Sequence, residues 1–175
     1  MTRATGRRSH GDQTATPDRL LAAARPLVVR YCRARLGTGQ DPDDVVQDVC
    51  LAVLKALPAR PPERPFPIFV CGIARHHVEA ARKAAARRRA EPVAELPDEG
   101  DATLDPEQHA LRRELGERMA KLLRVLPDKQ REILVLRVAV GLSAEETAAV
   151  VGSTPGAVRV AQHRALGQLR KAVAG

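Results

Sequence analysis

Between Glu91 and Glu107 the chain carries seven carboxylates, Glu91, Glu95, Asp98, Glu99, Asp101, Asp105 and Glu107, with no Lys or Arg among them, and Pro92, Pro97 and Gly100 interrupt the run. Such a stretch buries too little apolar surface to fold by itself. It therefore acts as a divider, and the segments on either side have to build their own cores. A chain of 175 residues has room for two small domains, each with a modest core. The expected organisation is a basic mobile tail at 1–14, a helical domain at 15–90, an acidic flexible linker at 91–107 and a second helical domain at 108–175, all-α throughout.

The helical expectation comes from spacing. Leu20, Leu21, Ala24, Leu27, Val28 and Tyr31 recur every three to four residues, and Thr16-Pro17-Asp18 supplies a cap, a first-position Pro and a first-turn acid. Gly37-Thr38-Gly39 ends that helix. Asp41-Pro42-Asp43-Asp44 opens a second, with Val45, Val46, Val49, Cys50, Val53, Leu54 and Leu57 as its apolar face. It must stop by Pro58, since Pro61, Pro62, Pro65 and Pro67 remove donors and push the preceding residues out of helical conformation. A third helix is expected from about Ile68 to Arg89. Beyond the divider, Asp105-Pro106 opens a helix striped by Leu111, Leu115, Met119, Leu122, Leu123 and Leu126 and closed by Pro127, and three more follow.

The last two of those are separated by a short turn. Ser143 and Glu146 have the spacing of a capping box, in which each side chain satisfies the other's backbone donor. Gly152-Ser153-Thr154 is a tight turn, and Thr154-Pro155 caps and starts the final helix. This is the layout of a helix-turn-helix. From Pro155 to the end of the chain there is no Asp or Glu. Val158, Ala161, Ala165, Leu166 and Leu169 point inward, which leaves Arg159, Gln162, His163 and Arg164 on or near the outer face. A donor surface without carboxylates suits a groove walled by phosphates. Arg pairs bidentately with guanine and Gln with adenine, so Arg159 and Gln162 are candidate base readers, while His163, Arg164, Arg170 and Lys171 hold the backbone. A solvated basic helix end, favoured by the helix dipole, is the competing explanation, strongest for Arg170 and Lys171.

The chain as a whole is basic, with a net charge of +8 at pH 7, which favours a polyanionic partner such as nucleic acid over an anionic membrane. No apolar run is long enough to span a bilayer, and the Arg3, Arg7 and Arg8 region lacks a signal-peptide core, so a cytoplasmic protein is expected. Cys32, Cys50 and Cys71 form no C-x-x-C pair and read as small buried thiols rather than a disulfide framework or a zinc site. Asp44, Gln47 and Asp48 share a polar face opposite the valine stripe. Asp41, Asp44 and Asp48 as magnesium ligands would make this a phosphoryl-transfer site. Capping and the helix dipole already account for two of these acids, and no Gly-rich phosphate loop or His-Cys set accompanies them. His76 and His77 diverge by about 100° on one helix and cannot chelate together. No metal, cofactor or catalytic residue is assigned.

From about Pro17 to Lys171 the order of blocks resembles the extracytoplasmic-function (ECF) sigma factors of bacterial RNA polymerase, the small two-domain branch of the sigma-70 family. "DPDDVVQDVCLAVLKAL" is similar to the family's polymerase-binding helix in region 2. "PFPIFVCGIARHHVEAARK" is similar to its promoter-opening segment, and "LPDKQREILVLRVAVGLSAEETAAVVGSTPGAVRVAQHRALGQLRK" to its region 4 helix-turn-helix. The resemblance implies a protein that is not an enzyme and that recognises the minus-thirty-five and minus-ten promoter elements. Its implied partners are core polymerase (β′ clamp helices and β subunit), promoter DNA in duplex and single-stranded form and, in many relatives, an anti-sigma protein.

It also implies residue roles. Asp44, Gln47 and Asp48 would dock on the clamp helices. Phe66, Phe69, Arg75, His76, Arg82 and Lys83 would handle the minus-ten strand, with an unstacked base held near Pro58 to Pro67. Thr154, Pro155, Arg159, Gln162, His163 and Arg164 would meet the minus-thirty-five duplex. The acidic linker would thread through the polymerase channel toward the RNA path. The sequence departs from the family pattern near Leu54 and Phe69, where Trp is common, and at His76, where Asn is frequent; two Phe and one Tyr are its only aromatic residues. A stand-alone helix-turn-helix regulator that binds duplex DNA without polymerase is the alternative.

Overall fold

The computed structural model describes residues 16–36, 40–90 and 106–174. The expected tail at 1–14 and most of the expected acidic linker lie outside the described residues. Helix α1 (Pro17–Arg35) starts with Pro at its first turn and Asp18 beside it, as the spacing led one to expect. Helix α2 (Pro42–Ala56) is capped by Asp41, whose carboxylate accepts the Asp43 backbone N–H at 2.8 Å. It runs into a single 3₁₀ turn (Leu57–Ala59) as the prolines begin. Helix α3 (Phe66–Ala90) starts two residues before the expected Ile68. Pro67 falls in its first turn, where the missing N–H has no intrahelical acceptor to lose, so this proline does not delay the helix.

Beyond the gap come α4 (Pro106–Leu123) and α5 (Asp128–Leu134), the latter continuing into a π-helical stretch (Val135–Val140). Helices α6 (Ala144–Val151) and α7 (Pro155–Ala174) complete the order. Both halves of the Ser143–Glu146 capping box are present, Ser143 Oγ accepting from Glu146 N–H at 3.0 Å and Glu146 Oε2 from Ser143 N–H at 2.7 Å. Gly141 and Gly152 bracket α6 at φ of 89° and 65°. An L side chain would be strained at both, so the two turns that set the angle of α6 depend on glycine. Helix α4 departs from its expected stripe. Leu115 and Met119 are exposed, whereas Leu123 at the end of the helix and Leu126 just beyond it join a small core that includes Leu134 and Ala165.

The two halves do not keep separate cores. One apolar cluster runs from α1, α2 and α3 (Val28, Val49, Val53, Val70, Val78) through Ile133, Val135 and Leu136 to Val150, Val151 and Val158. Helix α1 packs on the π-helical stretch and α3 on α6. Full burial of a single Val or Leu side chain is worth about 1.5–3 kcal/mol, so a seam of this kind brings the halves together even in a chain almost without aromatic rings.

The seam also encloses a polar network. The Tyr31 hydroxyl donates to Glu132 Oε1 at 2.9 Å, and Arg75 Nε donates to the same oxygen at 2.7 Å. Beside them Arg35 Nη2 reaches both Asp128 oxygens at 3.2 and 3.1 Å, and Arg82 Nη2 lies 2.8 Å from Asp128 Oδ1. The Arg35 and Glu132 side chains are only 4% and 7% exposed. Removing one member of a buried pair leaves the other desolvated and costs about 3–5 kcal/mol. Glu132→Ala should therefore lower the urea midpoint strongly, whereas Glu132→Gln, which still offers an acceptor to Tyr31, should lose less; equal midpoints for wild type and both variants would contradict this description of the seam.

Candidate polymerase and nucleic-acid surfaces

On α2 the valines face inward and the opposite side is polar. Asp44, Gln47 and Asp48 are all exposed, one turn apart, while Val46, Val49 and Val53 are buried. Asp43, on the flank, lies 3.7 Å from Arg33 of α1. Leu51 completes this face, three residues after Asp48 and four after Gln47, and is 47% exposed. Sequence reading passed over it, although its i+7 spacing from Asp44 was a usable signal. The α2 surface thus pairs carboxylates and an amide with one large apolar side chain, a composition suited to a protein partner with a basic rim. Among the described residues no group of three or more His, Cys, Asp or Glu is placed to hold a metal ion.

Helix α3 carries the residues expected at the minus-ten strand, and the structure sorts them into three groups. Phe66 and Phe69 are turned into the core at 8% exposure each, with the Arg60 guanidinium 5.7 Å from the Phe66 ring centre. In this arrangement neither ring offers a face on which a base could stack, which departs from the role the resemblance implied. The reason is the large apolar area of each ring, whose burial stabilises the core. His76 and Lys83 are exposed, His76 making an edge-to-face contact with His77 and Lys83 lying 3.0 Å from Glu79. Arg75 and Arg82 face the seam and are engaged by Glu132 and Asp128. Sequence reasoning missed those two carboxylates, because nothing in the spacing of α5 signals that it would lie against α3.

A cavity of about 580 Å³ opens along the same seam, with Arg35, Arg75, Arg82, Arg131, Asp128 and Glu132 in its wall. Its electrostatics follow from burial and pairing. Partial burial pushes the Asp128 carboxyl up, but the hydrogen bonds from Arg82 and Arg35 outweigh it and hold the group well below the usual carboxylate range. Burial, reinforced by the neighbouring Glu132 charge, pushes the Tyr31 hydroxyl far up, so it is a permanent donor. Burial also raises Cys32 and Cys71 to about 12, which leaves both as neutral thiols.

In the helix-turn-helix, Thr154 Oγ1 accepts the Ala157 backbone N–H at 3.2 Å and Pro155 opens α7. Val158 and Ala165 are fully buried. Arg159, His163 and Arg164 are exposed along the outer side, together with Val160, which sequence reading did not single out. Arg159 is paired at the surface with Glu145 on α6. Gln162 behaves otherwise. It is half-buried, and its side-chain oxygen accepts from Arg137 Nε at 2.8 Å. That guanidinium also donates to the Leu142 carbonyl, so Gln162 is tied into the domain's own turn. As a base reader it is displaced by the need to satisfy Arg137.

Comparison with known proteins matches both halves. The family model "Sigma-70 region 2" covers residues 20–88 and "Sigma-70, region 4" covers 116–169. The ECF RNA polymerase sigma factor SigD of Mycobacterium tuberculosis is 56% identical over 165 residues, spanning 91% of this chain and 77% of that protein. The ECF RNA polymerase sigma factor ShbA of Streptomyces griseus is 50% identical over 169 residues, 91% and 88% of the two chains. Among solved structures, CnrH bound to the cytosolic domain of CnrY superposes with a TM-score of 0.69 at 28% identity, covering 94% of this chain and 91% of that one. The fold is shared with RpoE bound to the anti-sigma factor NepR from Bartonella quintana, at a TM-score of 0.64 and 17% identity over 86% and 92% of the chains.

The depressed Asp128 carboxyl sets a pH dependence. A carboxyl whose folded-state value lies below its unfolded one, about 3.9, adds stability that is present above that value and fades as pH falls below it. Acidification from about pH 5 to 2 should therefore loosen the seam, and Asp128→Asn should remove part of that acid-dependent loss. With one Tyr and no Trp in the chain, tyrosine emission reports Tyr31 alone. Indistinguishable acid transitions for wild type and Asp128→Asn would contradict the assignment.

Proposed function

We propose, on the premise that this chain belongs to the ECF sigma factors of the sigma-70 family and is an RNA polymerase sigma factor, that its surfaces divide transcription initiation among three helices. The α2 face of Asp44, Gln47 and Asp48, with Leu51, docks on the β′ clamp helices of core polymerase. Helix α3, through Arg75, His76, Arg82 and Lys83, follows the melted minus-ten strand. Helix α7 lies in the major groove of the minus-thirty-five element, its domain resting on the β subunit. The division of the chain at the acidic segment lets the two halves reach two promoter elements at once. The protein works in the cytoplasm and catalyses no reaction of its own. It opens DNA because it binds single-stranded bases better than paired ones, and that preference alone shifts the closed-to-open equilibrium.

The observation that carries this reading is the pairing of two surfaces in one chain: a carboxylate-free outer face on α7 and an exposed acid-and-amide face on α2. A stand-alone helix-turn-helix regulator needs only the first. It leaves unexplained the match of residues 20–88 to region 2. The α2 face is also where an anti-sigma protein would compete with polymerase, the kind of partner with which the RpoE relative was solved.

The closed seam gives initiation a precondition. Arg75 and Arg82 are held by Glu132 and Asp128, so they reach a DNA strand only when these carboxylates let go. In effect the two acids occupy the places of phosphates, and binding to polymerase and promoter exchanges an intramolecular ion pair for an intermolecular one. The DNA contacts are accordingly salt-sensitive.

Purified chain mixed with sigma-free core polymerase and promoter-bearing DNA should yield discrete start sites with a shared pair of upstream elements. Asp48→Arg should abolish those transcripts at an unchanged urea midpoint, because it reverses a charge on an exposed docking face. Full transcription by a folded Asp48→Arg variant would sink the docking assignment.

A further inference from the structure

Helix α7 can be laid out by its own geometry. At about 100° per residue, the buried Val158 and Ala165 and the half-buried Ala161, Gln162 and Leu169 define an inward direction. The residues nearest the opposite, outward pole are Gly156, Val160, His163 and Gly167. Arg159 and Arg164 fall on either flank, roughly 70° from that pole. The outer face thus has cationic edges and a centre that is largely small or apolar. Val160, at this centre, is 51% exposed. A Cβ added at Gly156 or Gly167 would meet nothing within 4 Å. Packing within the domain therefore does not account for the two glycines, and their small profile lets the helix axis come close to whatever lies against this face.

In a major groove such a face has one natural orientation: the arginines reach the walls and the guanine edges, and the pole faces the groove floor. The floor presents hydrogen-bonding groups and one apolar feature, the C5-methyl of thymine. Gln162, the polar reader expected from the sequence, is withdrawn to Arg137. Of the two exposed side chains nearest the pole, His163 carries ring nitrogens, and Val160 has no donor or acceptor and two methyl groups. We propose that Val160 reads the 5-methyl group of a thymine in the minus-thirty-five element, making it a specificity determinant flanked by Arg159 and Arg164. This rests on the assignment of α7 to that duplex element.

The test uses holoenzyme, formed from the full chain and core polymerase, on a promoter whose minus-thirty-five element has been mapped by start-site sequencing. Each thymine of the element, on either strand, is replaced in turn by deoxyuridine, which removes only the methyl. Burying one such group is worth about 0.8 kcal/mol, or about fourfold in affinity. One position should show a loss of about fourfold with the wild-type chain and none with Val160→Ala, an exposed substitution that favours the helix. Sensitivity at no position, equal sensitivity in both proteins, or an element containing no thymine would each overturn the proposal. If scrambling the whole element changes nothing, the placement of α7 itself fails, an outcome separate from insensitivity to the methyl alone.

Discussion

Glu132 is the residue on which the arrangement of the two halves turns. Its carboxylate, almost fully buried, accepts from both Tyr31 of α1 and Arg75 of α3 through one oxygen. A carboxylate in such a place is tolerated only while its donors stay, and those donors belong to the other half of the chain. Asp128, one turn earlier on α5, repeats the pattern in a wetter setting with Arg35 and Arg82. The apolar seam supplies attraction without direction; the two acids fix the register.

Helices α7 and α3 hold their arginines in different settings. On α7, Arg159 is paired at the surface with Glu145 and Arg137 holds Gln162 inward. On α3, Arg75 and Arg82 are paired across the less exposed seam with Glu132 and Asp128.

Much of this was legible in the sequence wherever the signal was local. Prolines and the three-to-four spacing located α1, where Thr16 makes no side-chain capping bond, caps helped to locate α2, α6 and α7, and the Ser143–Glu146 pair appeared with both of its hydrogen bonds. The acid face of α2 followed from the same periodicity. What could not be read were contacts between distant segments. Tyr31 and Glu132 are 101 positions apart, and no spacing rule links them. The expectation of separate cores missed the seam for that reason. Phe66 and Phe69 were matched to the family's strand-handling segment, but the large apolar area of their rings is buried in the core. Gln162 looked like a base reader by residue type, and only the position of Arg137, 25 residues earlier in the chain, turns it inward. Val160 was overlooked because an isolated valine carries no polar signal, although the 100° wheel already put it on the outer side.

The most direct measurement is the distance between α3 and α6 in the free chain and in holoenzyme bound to promoter DNA, read by pulsed electron spectroscopy from labels introduced at the exposed Ala80 and Ala149. The free chain should give a single short distance that lengthens in Glu132→Ala and lengthens further in the promoter complex, where Arg75 and Arg82 have exchanged their carboxylates for DNA. An unchanged short distance in an actively transcribing complex would contradict the account, since the arginines would then have remained at the seam throughout.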